Sequence, residues 1–489
     1  MFKNLFGKQL SDSINEKAYG LLDKADNTLF YLSLIGIGIL LYDLGFVHRE
    51  GEKETLSNFY VGYSLLLFLI LTLRLLLAKR HGVSKGWFVV EYVLVLLLVG
   101  GIIVHFLSDQ FFGGTGAEQF ITRNFFTSGL IVYTFLIELS KRSINLYRIR
   151  FNPALLFVFS FLILIFIGTG LLLLPRATVG GITLLDALFT STSAVCVTGL
   201  IVVDTATYFT LFGKIIILIL IQLGALGIIT FTSFLAMFFE GNASFRNQLF
   251  MQNIMNEEKL GETMRTVGKI VVFTFTVEAV GAAFIYATIS DAAFAGVPDR
   301  IGFSVFHAIS AFCNAGFSTM TAGLNDVGFR YNYDFQLVII CLIILGGIGF
   351  PILFNLYGYL MEVSRNRFRQ VNFDEKYVHT SRIVTVNTKI VLITTAVLLV
   401  AGTIIYFITE YNSTLADHTG YGKFVTSLFG SVTPRTAGFN TVDMTQLTLP
   451  LVLVYLLLMW IGASPGSTGG GIKTTTFALA VMNTVSIAR

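Results

Sequence analysis

Ser431–Asn440 reads "SVTPRTAGFN", with a proline, an arginine and a glycine in close succession between two long apolar stretches. Such a segment cannot be an ordinary spanning helix. Two others share its pattern, "TSAVCVTGL" and "FCNAGFSTM". Setting Gly199, Gly316 and Gly438 in register pairs Thr198 with Ala315 and Ala437, Phe317 with Phe439, and Thr319 with Thr441. The register recurs at intervals of about 120 residues. In each case a short apolar piece precedes the glycine, which reads as a half-helix running into extended backbone. The chemistry available there is that of the main chain. Glycine permits backbone angles that turn carbonyl oxygens towards one axis, and rings of carbonyls replace the hydration shell of a potassium ion. The C-terminal end of each half-helix adds partial negative charge towards a cation. The candidate ion-binding residues are Cys196, Val197, Thr198 and Gly199, then Asn314, Ala315 and Gly316, then Thr436, Ala437 and Gly438. Incidental glycines in loops would explain one such segment; three matched segments favour pore loops.

A second irregular stretch is "GASPGSTGGGIKTTTF", Gly462–Phe477. It resembles a phosphate-binding loop only superficially, because Ile472 separates Gly471 from Lys473 and the preceding segment is an apolar helix rather than a strand. Its glycines and Pro465 cannot remain helical, so the break is expected inside the bilayer. Cys196, Cys313 and Cys341 are far apart and fit neither a disulfide framework nor a zinc site. No catalytic triad or metal cluster stands out, so an enzyme is not expected.

These segments need a scaffold that lipid will accept. The composition is 54% hydrophobic and 13% charged, with a mean hydropathy of +0.76. This is an all-α, polytopic membrane protein. Met1–Asp26 lacks the apolar core of a cleavable signal peptide. Expected early spans lie near Thr28–Phe46, Tyr60–Leu77, Trp87–Phe106 and Asn124–Leu139. Longer ones follow near Pro153–Leu174, Thr207–Phe239, Val267–Ile289, Phe335–Met361, Thr388–Ile408 and Leu447–Ala463, with Thr476–Ile487 after the glycine-rich break. Basic residues gather in alternate loops: Lys79, Arg80 and Lys85; Lys141, Arg142, Arg148 and Arg150; Arg246, Lys259, Arg265 and Lys269; and Arg365, Arg367, Arg369, Lys376 and Arg382. By the positive-inside rule those loops and the N-terminus are cytoplasmic, in a multi-pass protein of the cell's inner (plasma) membrane.

"TSAVCVTGL", "FCNAGFSTM", "TPRTAGFNT" and "GSTGGGIKTTTF" resemble the Trk/Ktr/HKT superfamily of potassium transporters, nearest the bacterial Ktr and Trk membrane subunits. The resemblance covers roughly Asn152–Arg489. It implies helix–pore-loop–helix repeats around a pseudo-fourfold pore, with filter glycines at Gly199, Gly316 and Gly438. Serine at the first of these goes with sodium in such proteins, so Gly199 points to potassium. The resemblance also implies a homodimer, a cytoplasmic regulatory subunit that carries any nucleotide, and no cofactor in this chain. The break becomes an intramembrane gate, with Gly466, Ser467, Thr468, Gly469, Gly470, Gly471 and Lys473 as its residues.

The expected organisation is a cytoplasmic segment (1–26), a four-helix extension (27–148), and pore repeats at 149–245, 262–363 and 383–489, the last holding the gating loop at 462–474. Only three of four repeats are visible. The chain stops about 50 residues after Gly438 where the repeat needs about 120, so a truncated chain is expected. Three loops cannot close a filter without leaving polar backbone facing lipid. Two rival functions stay open. A coupled secondary transporter, for sodium for example, would gather polar side chains at broken helices. A non-conducting sensor or scaffold would tolerate the missing loop. Any sodium coupling is undecided.

Several polar residues in the spans carry their own expectations. Glu278 is either functional or paired within the bundle. Arg435 is expected to anchor its loop by bonding carbonyls. Asn314 and Asn440 are expected to hold loop shape, Asp186 to cap the first half-helix, and Glu91, Glu138 and Arg74 to form structural pairs. Gly346–Pro351 is expected to bend its helix.

Overall fold

The computed structural model of the chain describes residues 2–78, 92–93, 95–96, 99–100, 127–139, 153–227, 263–290, 294, 296–373 and 384–488. Most of the expected Trp87–Phe106 span, the 228–239 part of the sixth span and Glu91 lie outside these residues. So do Lys79, Arg80, Lys85, Lys141, Arg142, Arg148, Arg150, Arg246, Lys259, Lys376 and Arg382.

Among the described residues every regular element is helical, with two isolated β-bridges besides. Two compact units divide the chain: 1–156 with 229–264, and 157–228 with 265–489. In the first, α1 (Phe2–Gly45) and α2 (Glu50–Ala78) pack together with α3 (Thr127–Leu139). The helix runs unbroken from Phe2 through the segment expected to precede the first span. Arg74 Nε lies 2.7 Å from Asp26 and its Nη1 3.6 Å from Glu138. The expected structural pair is therefore present, with Asp26 added. A buried charge is tolerated in such a setting when it is paired.

The second unit repeats one arrangement three times. The first triad is α4 (Pro153–Leu172), the short α5 (Leu184–Val195) and α6 (Leu211–Leu226). The second is α7 (Thr263–Thr288), α8 (Val297–Phe312) and α9 (Tyr333–Ile348), with α10 (Phe350–Phe373) continuing from α9. The third is α11 (Val386–Glu410), α12 (Gly420–Val432) and α13 (Leu449–Trp460), with α14 (Thr474–Ala488) beyond a break. Each short helix packs against a long helix of its triad: α5 against α6, α8 against α9 and α12 against α11. The same bond recurs between a short helix and the long helix before it: Ser191 Oγ donates to Ile165 O at 2.8 Å, and Ser431 Oγ to Leu399 O at 2.9 Å. Such hydroxyls pair internally because lipid offers no partner.

Helix starts follow local chemistry. Thr183 and Thr419 cap α5 and α12, each accepting from a backbone N–H three residues on. Asp186 is not the cap of α5. It sits at the third helical position, where its carboxylate accepts from the Thr183 hydroxyl at 2.7 Å. Four described helices are long and apolar enough to cross a membrane, or five if α9 and α10 count as one span bent by 103°. The bend falls where Gly346–Pro351 was expected to allow it. Gly349 takes a φ of +94°, and Pro351 starts the new direction.

Candidate functional site

The three short helices end close to one another, and each leads into its glycine through the same backbone alternation. Val197, Asn314 and Thr436 have φ of +54°, +58° and +81°. Gly199, Gly316 and Gly438, two residues later, have +78°, +72° and +79°. The residue between is not left-handed. Non-glycine residues at positive φ are uncommon and cost energy, so three in matching positions mark a constrained structure. The glycines also meet. A Cβ on Gly199 would lie 2.3 Å from Ala315 O, and one on Gly316 2.6 Å from Ala437 O. Gly199 and Gly316 thus each pack against a carbonyl of the following loop. At Gly438 a Cβ would meet only Gly316 Cα, at 3.6 Å. Cys196 and Thr198 on the first loop are exposed.

Side chains behind the loops hold this shape. Ser310 Oγ donates to Phe317 O at 2.7 Å, and Thr433 Oγ1 to Phe439 O at 2.6 Å. Both bonds grip the residue after the glycine. Ser193, the counterpart of Ser310, has no hydrogen-bond partner for its buried hydroxyl. His307 reaches the descending limb of the second loop through Ser318 Oγ at 3.0 Å. Asn314 is 1% exposed; with its amide nitrogen turned inward it donates to Ala311 O at 3.1 Å and Ile343 O at 3.2 Å. Asn440, by contrast, is exposed.

Beyond the glycines lies a cavity of about 490 Å³ bordered by all three, with Asp204 and Asp443 at its rim. Burial raises the Asp204 carboxyl. The Ala206 N–H, the Thr207 and Thr321 hydroxyls and Lys214 outweigh this and hold it below the usual range. The Thr445 hydroxyl and N–H likewise hold Asp443 down. Both stay anionic, and clefts lined by one sign of charge concentrate counter-ions.

On the other side of the glycines lies the irregular stretch between α13 and α14. It doubles back on itself: Gly462 N donates to Ile472 O and Ala463 N to Gly470 O, both at 3.0 Å. It also engages the α9–α10 break. Ser464 N donates to Gly347 O (3.0 Å), Thr468 N to Gly346 O (3.4 Å), and Phe350 N to Gly466 O (3.0 Å). Thr468 Oγ1 donates to Phe312 O, the last residue of α8, at 3.3 Å. A Cβ on Gly469 would lie 2.3 Å from Thr436 Oγ1, so the stretch sits directly against the third loop. Gly466 and Gly471 take positive φ. Lys473 Nζ donates to Gly469 O at 2.7 Å, tying the base of the stretch together. Arg435 is 8% exposed and donates to Gly462 O at 3.3 Å. It does anchor through a carbonyl, but the carbonyl belongs to this stretch rather than to its own loop.

The TrkH family, described as cation transport proteins, matches residues 121–487. This chain belongs to the TrkH family of cation transport proteins. It is 37% identical over 333 residues to the Ktr system potassium uptake protein B of Vibrio alginolyticus, covering 68% of each chain. Identity to the protein of the same name from Bacillus subtilis is 35%, over 70% of this chain and 72% of that one. The potassium/sodium uptake protein NtpJ of Enterococcus hirae is 33% identical, over 68% and 69%. The fold is similar to the crystal structure of the potassium transporter TrkH from Vibrio parahaemolyticus, with a TM-score of 0.51, 17% identity, and coverage of 82% of this chain and 74% of that one. TrkH-family membership makes this chain a transport protein and not an enzyme.

Proposed function

We propose that this TrkH-family protein takes up potassium through a gated, channel-like pore in the cell membrane. The observation that carries the reading is the matched left-handed pair in each loop, with Gly199 and Gly316 each against a carbonyl of the next loop. Alternating backbone hands bring successive carbonyls to one side, and Cys196–Gly199, Asn314–Gly316 and Thr436–Gly438 then supply oxygens that replace water around the ion. The ends of α5, α8 and α12 add partial negative charge from behind, and Asp204 and Asp443 enrich cations in the vestibule. The stretch 462–474 closes the pathway beneath the filter, with Gly466–Gly471 and Lys473 as the gate.

The three triads are pore repeats, and a fourth pore loop completes the ring. The unmatched face of Gly438 and the exposed face of the first loop support this. The four-helix extension precedes the repeats, and the N-terminus is cytoplasmic. The protein works as a homodimer, with a cytoplasmic nucleotide-binding subunit that moves the gate. The named role of NtpJ keeps sodium as a second cation.

The test is growth on low potassium of cells lacking their own uptake systems. The protein is expressed with and without a nucleotide-binding partner subunit. Potassium-dependent growth is the expected result. No growth under either condition overturns the potassium reading. Rescue that only sodium supports replaces it with the sodium reading.

A further inference from the structure

Glu278 lies in α7 and is 4% exposed. Carboxylates are almost never so buried without a partner. Its Oε1 lies 3.7 Å from Cys313 Sγ, and the amide oxygen of Gln222, in α6 of the first triad, lies 3.9 Å from the same sulfur. Cys313 has no exposed surface and caps α8. The next residue is Asn314, which begins the left-handed pair of the second loop. A thiol has one hydrogen to donate, so acceptors from two triads converge on one donor at the base of the loop. Glu278 also interacts with the Gln222 side chain, yet its other carboxylate oxygen and the Gln222 amide nitrogen are buried without a well-formed hydrogen bond. Stability alone favours an apolar side chain at such a place, and buried polar groups left partly unsatisfied call for an explanation beyond packing.

The other two loops are held differently. Cys196, the counterpart of Cys313, is exposed. The third loop reaches its glycine by a longer path, leaving α12 at Val432 and passing through Thr433 and Arg435. The acid therefore serves the second loop in particular.

We propose that Glu278, with Gln222, is a positioning residue: it fixes Cys313 and thereby the angle at which the second loop presents its carbonyls, which sets discrimination between potassium and sodium. The inference rests on the carbonyl-filter reading. Carbonyl spacing is sensitive to small rotations of the loop, whereas the amount of folded protein is not. The informative readout is therefore the ratio of potassium to sodium uptake, measured per molecule of protein in the membrane.

The experiment measures that ratio in cells for Glu278→Leu, Cys313→Ala, the double variant and Cys313→Ser. Glu278→Leu removes the acceptor and Cys313→Ala the donor, and each is expected to lower the ratio about threefold to tenfold, the size of one lost hydrogen bond. The double variant is expected to fall no further, because both changes remove the same contact. Cys313→Ser keeps a donor and is expected to retain the wild-type ratio. Ratios unchanged in both single variants, or losses that add in the double variant, overturn the inference. If Glu278→Leu fails to reach the membrane, the contrast between Cys313→Ala and Cys313→Ser decides alone. A wild-type protein that does not prefer potassium counts against the filter reading itself, a result separable from a wild-type preference that the variants leave intact.

Discussion

A methyl group added at Gly316 would lie 2.6 Å from Ala437 O, and alanine there would also have to hold a φ of +72°. The backbone term alone costs about 1–2 kcal/mol. Gly316→Ala is therefore expected to reduce potassium uptake about tenfold or more at unchanged membrane abundance, with rubidium tracer flux as the measurement. Undiminished flux would mean the loop carbonyls do not touch the ion. These glycines were legible in the sequence because their role is steric and depends on little but the residue itself. The partners of Arg435 and Lys473 were not. A long cationic side chain reaches many carbonyls, and which one it meets depends on how separate segments fold together.

At the scale of elements, two junctions stand out. The first joins the stretch after α13 to the α9–α10 break. Thr468→Val removes the donor to Phe312 O but keeps the shape. One hydrogen bond contributes about 0.5–1.5 kcal/mol net, so uptake without a regulatory partner is expected to rise roughly twofold to tenfold. Flux assays without and with a partner subunit check this. Both breaks were readable from glycine and proline content, but their mutual contact was not, since more than a hundred residues separate them. The second junction links the second and third triads: Tyr333 Oη lies 3.0 Å from His418 Nδ1. Burial lowers the His418 pKa, Arg330 and Lys423 lower it further, and Asp417 opposes them. A histidine whose folded pKa is depressed stabilises the fold above its unfolded value, and that contribution is lost as pH falls below about 6.5. The thermal midpoint of purified protein is expected to drop on acidification through that range, and His418→Gln to flatten the drop. An identical pH profile in the variant would assign the effect elsewhere.

The helical make-up of the described residues was legible in the sequence because lipid leaves the backbone so few alternatives. The three-fold recurrence was legible because each loop repeats the same steric demand. The reach of α1 back to Phe2 was not legible, since polar, mixed-charge sequence carries no hydropathy signal for a helix. Nor was the junction between the two breaks, which has a thermal consequence. Four hydrogen bonds hold the stretch against α8, α9 and α10, each contributing about 0.5–1.5 kcal/mol net. Freeing the stretch breaks them together. If the stretch is the gate proposed above, uptake should rise with warming more steeply than diffusion of an ion through an open pore.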